Sequence, residues 1–528
     1  MARATSPKTK SYQRERWATR IGLVFAMAGN AVGLGNFLRF PVQCVQNGGG
    51  AFMIPYLVAF LLLGIPLMWI EWGIGRFGGK YGHGTTPGMF HYLWHHPLAK
   101  YLGAIGMALP FGLIVYYIYI ESWTLAYSFF SMTGKYMGIE SRQGMAQFLS
   151  AYQGAVSNEH FSNIGTAYVF FVITLALNFW VLSRGLVKGI ESIAKVVLPL
   201  LFVFGLILVI RVFTIGTPDP AYPERNVLNG LAFIWNPDFR ALTNSRVWVA
   251  AAGQIFFTLS VGFGAIQTFA SYVSRKDDIV ASGLATAGTN EFVEVIIGGS
   301  IAIPVAFAFF GLEATREIAS SGAFDLGFFS MPIIFQQMPG AQFFGMIWFL
   351  LLFIAGITSS VAMAQPLMAF LQDEFKIQRT TAAMLVGGLA FFLMQPVIFF
   401  LPYGFLDEMD FWIGTVGLVV FAIIEVVIFI WIFGADKAWR EICAGRDFQL
   451  PRIFYYIIKY VTPVYLFLLL GFWLVQDGVD VLLMRNVQEA NRVYIWFARF
   501  LMAGILLLMI FLVRLAWQRK HMIRQQVP

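Results

Sequence analysis

Long apolar runs free of charge recur along the whole chain, and no other feature limits its fold as strongly. A bilayer core about 30 Å thick needs roughly 20 apolar residues per helix. Gly22 to Leu38, Phe52 to Ile70, Tyr101 to Ile120, Tyr168 to Leu182 and Val196 to Ile210 meet or approach that length. Val247 to Ser274, Val295 to Leu312, Phe343 to Gln372 and Thr380 to Leu406 follow. Phe411 to Ile424 (extending past Glu425 to Ala435), Tyr460 to Gln476 and Phe500 to Val513 complete the set. The expectation is about twelve transmembrane helices. The alternation of a membrane barrel is absent, so the fold class is an all-α integral membrane protein. Of 528 residues, 58% are hydrophobic and 12% charged. Soluble domains carry about 25% charge. That much apolar surface cannot be hidden from water, which excludes soluble enzymes, nucleic-acid binders and secreted disulfide scaffolds.

The net charge of +8 fits anionic headgroups better than nucleic acid, because the basic residues lie in short loops and tails. Arg76, Lys80 and Lys100, then Arg184 and Lys188, then Arg275 and Lys276, then Lys376 and Arg379 mark alternate connections. With basic tails at both ends and an even span count, the bias puts both termini in the cytoplasm. The basic N-terminal stretch leads into no cleavable signal and reads as a retained tail. Cys44 and Cys443 are too far apart in any sensible topology to pair. Gly311 to Ser321 and Pro332 to Pro339 read as parts of a broken helical hairpin between two spans.

Glycine placement is the informative anomaly. The first span reads Gly29-Asn30-Ala31-Val32-Gly33-Leu34-Gly35-Asn36, and the sixth reads Phe257-Thr258-Leu259-Ser260-Val261-Gly262-Phe263-Gly264. Each helix-interior glycine costs about 1 kcal/mol relative to alanine. Close helix packing would favour GxxxG spacing instead, since residues two apart point to different faces. Both helices are therefore expected to unwind at mid-membrane, and a matched pair of such breaks points to a transporter built from inverted repeats. Half-helix N-termini suit a carboxylate, while loose carbonyls at half-helix C-termini suit a hard cation. Asn36, Thr258 and Asn290 offer side-chain oxygens, and Thr358 and Ser359 form a second polar island. A neutral oxygen cage suits Na⁺ or K⁺ better than Zn²⁺. Glu294, four residues beyond Asn290 on one helix face, is an intramembrane acid and so a functional candidate. Glu71 is a candidate for bonding the freed amides of an unwound segment.

The blocks WATRIGLVFAMAGNAVGLGNFLRFP, NGGGAFMIPY, GIPLMWIEWGIGR, YYIYIESWTL, GQIFFTLSVGFGAIQTFASYV and AGITSSVAMAQP resemble the neurotransmitter:sodium symporter family over nearly the whole chain. The resemblance implies a five-plus-five inverted repeat with discontinuous helices 1 and 6. Its units would be a cytoplasmic tail at 1–19, repeats at 20–215 and 240–435, two more helices at 452–518 and a tail at 519–528. It implies one sodium at Ala31, Asn36, Thr258 and Asn290, completed by the substrate carboxylate, and a second at Gly29, Val32, Ala355, Thr358 and Ser359. The carboxylate would meet Leu34, Gly35 and Tyr117. The amino group would meet Ala31, Phe257, Thr258 and Ser260, with Leu113, Phe257, Phe263, Ser359 and Met363 around the side chain. Leu113 and Met363 stand where a bacterial member of the family has valine and isoleucine, which leaves substrate size open. Gly33 stands where the monoamine carriers have aspartate, which favours an amino acid.

Arg39 and Asp410, above Tyr117 and Phe257, match the family's outer gate. Arg14, Trp17, Ser271, Tyr272 and Asp373 match its inner gate. Glu294, beside Tyr56, Gln254 and Thr258, matches the place an anion takes in chloride-dependent relatives, so no chloride requirement is expected. The implied protein is not an enzyme. It is a sodium-coupled symporter importing a small, hydrophobic amino acid by alternating access, with a transporter-like sensor or an ion channel as alternatives. It would sit as a monomer or homodimer in a prokaryotic inner membrane, its partners being sodium, substrate and lipid.

Overall fold

The computed structural model describes residues 15–526. Ten of its helices are long and apolar enough to cross a membrane. In chain order they are Gly50–Gly79, Ala99–Thr133, Gly165–Ser183, Leu186–Phe213, Ile279–Ser321, Ala341–Phe375, Arg379–Phe399, Phe405–Ile432, Ile453–Gln476 and Glu489–Arg519. Two further spans are interrupted. The first is Arg20–Ala31 and Leu34–Gln46, bent by 48°; the sixth is Ser245–Leu259 and Ala265–Ala270. Counting each interrupted pair once gives twelve spans, numbered 1 to 12 below, and the described residues form no named strand.

Burial separates an inner set from an outer one. Spans 3 and 8 have 89% and 83% of their apolar stretch buried by protein, against 28% for spans 5, 11 and 12. Spans 3 and 8 run side by side, and span 1 packs on span 8. The two interrupted spans thus lie against an inner wall, shielded from lipid.

Backbone chemistry accounts for the interruptions. Span 1 starts at Thr19, whose side chain accepts from the Gly22 amide. It unwinds at Val32 and restarts after Gly33, whose amide donates to Asn36 Oδ1 at 2.8 Å. In span 6, Ser260, Gly262 and Gly264 all have positive φ. A Cβ on Gly264 would lie 2.0 Å from the Gly106 carbonyl oxygen of span 3, and one on Gly262 would lie 2.5 Å from that of Leu418. Glycine there permits both the left-handed turn and the close approach.

The hairpin is present: the helix of span 7 kinks at Gly311 (φ 81°) and continues to Ser321 before a second arm of helical turns at Asp325–Ser330 and Met331–Gln336. The short helix Arg142–Tyr152 clasps it, with Arg142 Nε 3.1 Å and Nη2 2.5 Å from the two oxygens of Asp325. One expectation from the charge pattern is corrected. Arg76 does not face headgroups; it is fully buried in the last turn of span 2, 3.1 Å from Glu441 and bonded to the carbonyls of Asp277 and Ala444. Its partners lie on other connections, which no reading of local charge could locate.

Candidate functional site

The two breaks face each other across one small cavity. Ala31, Gly33, Gly35, Asn36, Leu113, Tyr117, Phe257, Thr258, Ser260, Phe263, Ser359 and Met363 line it. Its volume is about 20 Å³, room for roughly one water, so admitting anything larger requires the walls to part. Leu34 does not line it, but its amide donates to Tyr117 Oη at 3.1 Å, which aims the phenol into the break. A Cβ on Gly33 would lie 2.9 Å from Ser359 Oγ and 3.0 Å from Tyr117 Oη.

On one side of the cavity, polar groups converge on the Asn290 amide. One of its terminal atoms is 2.9 Å from Asn36 Nδ2 and 3.2 Å from both the Ala31 and Thr258 carbonyl oxygens, and the other is 2.9 Å from Thr258 Oγ1. The four residues named for the first cation, Ala31, Asn36, Thr258 and Asn290, are therefore brought together, with Asn36 turning Nδ2 toward the group and Oδ1 toward the Gly33 amide. On the other side, Ser359 Oγ lies 3.2–3.3 Å from the carbonyl oxygens of Gly29, Asn30, Val32 and Ala355. Thr358 Oγ1 is 3.1 Å from that of Ala355. One hydroxyl proton cannot satisfy four acceptors, so this oxygen cluster is suited to a cation. The Asn30 carbonyl, which also accepts from Ser260 Oγ at 3.0 Å, was not anticipated. Its membership follows from where the helix stops, a boundary the glycines locate only to within a residue or two. Among the described residues no cluster of His, Cys, Asp and Glu could hold a transition metal.

Glu294 is fully buried. Gln254 Nε2 donates to it at 2.8 Å and Asn36 Nδ2 at 3.1 Å, which puts the carboxylate one side chain away from the first oxygen cluster. Tyr56 lies beside Glu294 as expected, and its hydroxyl also reaches Glu291, donating at 2.7 Å. Glu291 and Glu294 lie three residues apart on one helix face, where both acids are within reach of a side chain on span 2. That spacing was the available signal for Glu291. Glu71 Oε1 accepts from the freed Gly262 amide at 2.6 Å.

The outer residues form no ion pair among the described residues. The Arg39 guanidinium lies 4.2 Å from the centre of the Phe257 ring, while Tyr116 holds Asp410 at 2.8 Å. Tyr116, missed in the sequence, competes for the carboxylate that was assigned to Arg39. At the opposite end, Trp17 Nε1 donates to the Phe269 carbonyl at 3.1 Å, tying the start of span 1 to the second half of span 6. Gln365 donates to Tyr272 Oη at 3.2 Å, Ser271 Oγ donates to the Thr268 carbonyl, and Asp373 is buried. Arg14 lies outside the described residues.

Comparison with known proteins agrees with this architecture. The chain is similar to a sodium-dependent transporter of Methanocaldococcus jannaschii, 31% identical over 86% of this chain and 89% of that protein. It is also similar to the sodium- and chloride-dependent glycine transporter 1 of Xenopus laevis, 25% identical over 89% and 79%. Among solved structures, MhsT in complex with L-phenylalanine superposes with a TM-score of 0.74 at 28% identity, covering 87% of this chain and 99% of MhsT. The family profile described as the sodium:neurotransmitter symporter family matches residues 14–139 and 139–522. With interrupted spans, a shared cavity and near-complete coverage all in place, the chain belongs to the sodium:neurotransmitter symporter family, whose members are membrane transporters coupled to sodium.

Proposed function

We propose that this transporter imports a small, neutral and mainly apolar amino acid together with two sodium ions, by alternating access and without chloride. The observation that carries the reading is the meeting of two oxygen clusters and a set of half-helix N-termini around one cavity. The amides of Leu34 and Gly35 and the Tyr117 hydroxyl would take the carboxylate, at the positive end of a half-helix, with the Leu34 amide turning to it from Tyr117 Oη. The carbonyls of Ala31, Phe257 and Thr258, with Ser260, would take the ammonium group. Leu113, Phe263 and Met363 offer only apolar surface to the substrate side chain.

Sodium 1 would sit between Ala31, Asn36, Thr258 and Asn290, and the substrate carboxylate would complete its shell. That shared ligand couples the two bindings, so each raises the affinity of the other by the same factor. Sodium 2 would sit between Gly29, Val32, Ala355, Thr358 and Ser359, pinning the first half of span 1 to span 8. The fixed carboxylate of Glu294 would supply the negative charge that a chloride ion brings elsewhere. Arg39, Asp410, Tyr117 and Phe257 would close the outside, and Trp17, Ser271, Tyr272, Asp373 and Arg14 the inside. The helices holding the two breaks, one in each of the repeats at 20–215 and 240–435, would rock against the rest around this midplane site. The chain would lie in a prokaryotic inner membrane with both termini cytoplasmic. An inward sodium gradient does the work, and at about 100 mV each net charge adds ~2.3 kcal/mol.

Proteoliposomes test this directly. Labelled amino acids should accumulate only under an inward sodium gradient, and replacing chloride by gluconate should leave uptake unchanged. A competition screen of all standard amino acids should be won by a neutral one. Sodium-independent binding, or uptake lost with chloride, would contradict the reading.

A further inference from the structure

The turn of span 8 that carries Ala355, Thr358 and Ser359 must be held in one rotation if its oxygens are to face span 1. A group outside the site described above grips that turn at both of its ends. Glu121, on span 3, is completely buried. Asn178 of span 4, also completely buried, donates from Nδ2 to Glu121 Oε1 at 3.0 Å and to the Thr174 carbonyl at 3.1 Å. The same amide accepts on Oδ1 from Ser360 Oγ of span 8 at 2.6 Å. At the other end of the turn, a Cβ on Gly356 would lie 3.0 Å from Glu121 Cγ, so spans 3 and 8 touch there without a side chain between them. Glu121 therefore meets span 8 directly at Gly356 and through Asn178 at Ser360. The residues between those points include Thr358 and Ser359.

The chemistry of the three groups suits positioning. An amide used at both ends, as donor and acceptor, has one satisfactory orientation, and a carboxylate acceptor strengthens the first bond. Burying a carboxyl at this depth is costly. Interhelical hydrogen bonds inside membranes return only modest stability, so adhesion alone is a weak reason for the arrangement. Outer partners that orient the ligands of a metal ion are a stronger one.

We propose that Glu121 and Asn178 are positioning residues for the second sodium: they fix the rotation of span 8 through Gly356 and Ser360 and so set the ligand geometry of Thr358 and Ser359. This rests on the sodium reading of that oxygen cluster. The test is equilibrium binding of ²²Na⁺ to the purified full chain in nanodiscs, with thermal melting in sodium-free buffer as the readout of folding. Asn178→Leu and Glu121→Leu should each raise the half-saturating sodium concentration of one class of sites by about tenfold, the lower end for loss of an outer-shell partner. Glu121→Gln, which keeps an oxygen facing the Asn178 amide, should restore binding to within about twofold of the parent. Ser360→Ala, which leaves the Glu121–Asn178 bond intact, should weaken sodium in the same direction and serves if the leucine variants fail to fold. Thr358→Ala separates the two claims. If it leaves sodium binding unchanged, the cluster is not a sodium site. If it weakens sodium while the Glu121, Asn178 and Ser360 variants bind as the parent does, the brace is overturned. Equal losses in Glu121→Gln and Glu121→Leu would also overturn it, since charge rather than hydrogen-bond geometry would then be at work.

Discussion

At the residue scale, Gly33 shows how little room the candidate site leaves. A single methyl group there would enter the space between Ser359 Oγ and Tyr117 Oη. Gly33→Ala should weaken amino-acid binding by about tenfold or more, equivalent to ~1.4 kcal/mol. The fold should be kept, because the cavity and not a helix interior receives the methyl. Equilibrium binding beside a melting curve checks both halves. Glu294→Ser removes a buried carboxylate beside Gln254 and Asn36. Uptake by that variant should become chloride-dependent, falling about tenfold or more in gluconate, because losing one buried charge leaves its surroundings uncompensated. Chloride-insensitive uptake by the variant would contradict the role given to this acid. Much of the cavity lining was legible in the sequence, since glycines, asparagines and hydroxyls at membrane depth are costly unless they line a polar cavity. Tyr116 was not, because the side chain it bonds lies on a distant span; Glu291, three residues before Glu294, could be read as a second acid on that face but not as a partner of Tyr56.

At the element scale, the breaks in spans 1 and 6 were foreseeable from composition while the exact ends of other spans were not. The apolar run Phe500 to Val513 becomes a helix from Glu489 to Arg519. Charges end a hydropathy run but need not end a helix. Arg499 stays within span 12 by bonding Glu408 of span 10 at 2.6 Å and the carbonyls of Val481 and Leu482. The outer hairpin depends on a comparable contact. Asp325 is buried, and the hydrogen bonds that Arg142 donates to it raise the Arg142 pKa above its ordinary value. The guanidinium therefore stays charged at any working pH, and the clasp should not titrate away on the alkaline side. Arg142→Ala should speed amide exchange across 325–336, and a double-mutant cycle with Asp325→Ala should give a coupling of about 1.5–3 kcal/mol, as for hydrogen bonds to charged groups. Additive effects would mean that the contact holds nothing in place.

At the scale of the whole molecule, the orientation proposed from lysine and arginine bias has a direct probe in the two free cysteines. Cys44 is completely buried, whereas Cys443 is partly exposed just beyond the short helix Ala435–Ile442. Burial pushes the Cys443 thiol above its ordinary range, so labelling should quicken as the medium is made alkaline. A membrane-impermeant maleimide should modify Cys443 in inside-out vesicles and leave it unmodified in right-side-out ones. The reverse pattern would invert the topology. The account as a whole stands on the interrupted spans binding an amino acid and sodium as partners in one cavity. Calorimetric titration of the purified chain with the winning amino acid, in sodium and then in choline, tests that most directly. Sodium should tighten amino-acid binding, and the amino acid should tighten sodium binding by the same factor. Equal amino-acid affinity in the two salts would contradict it.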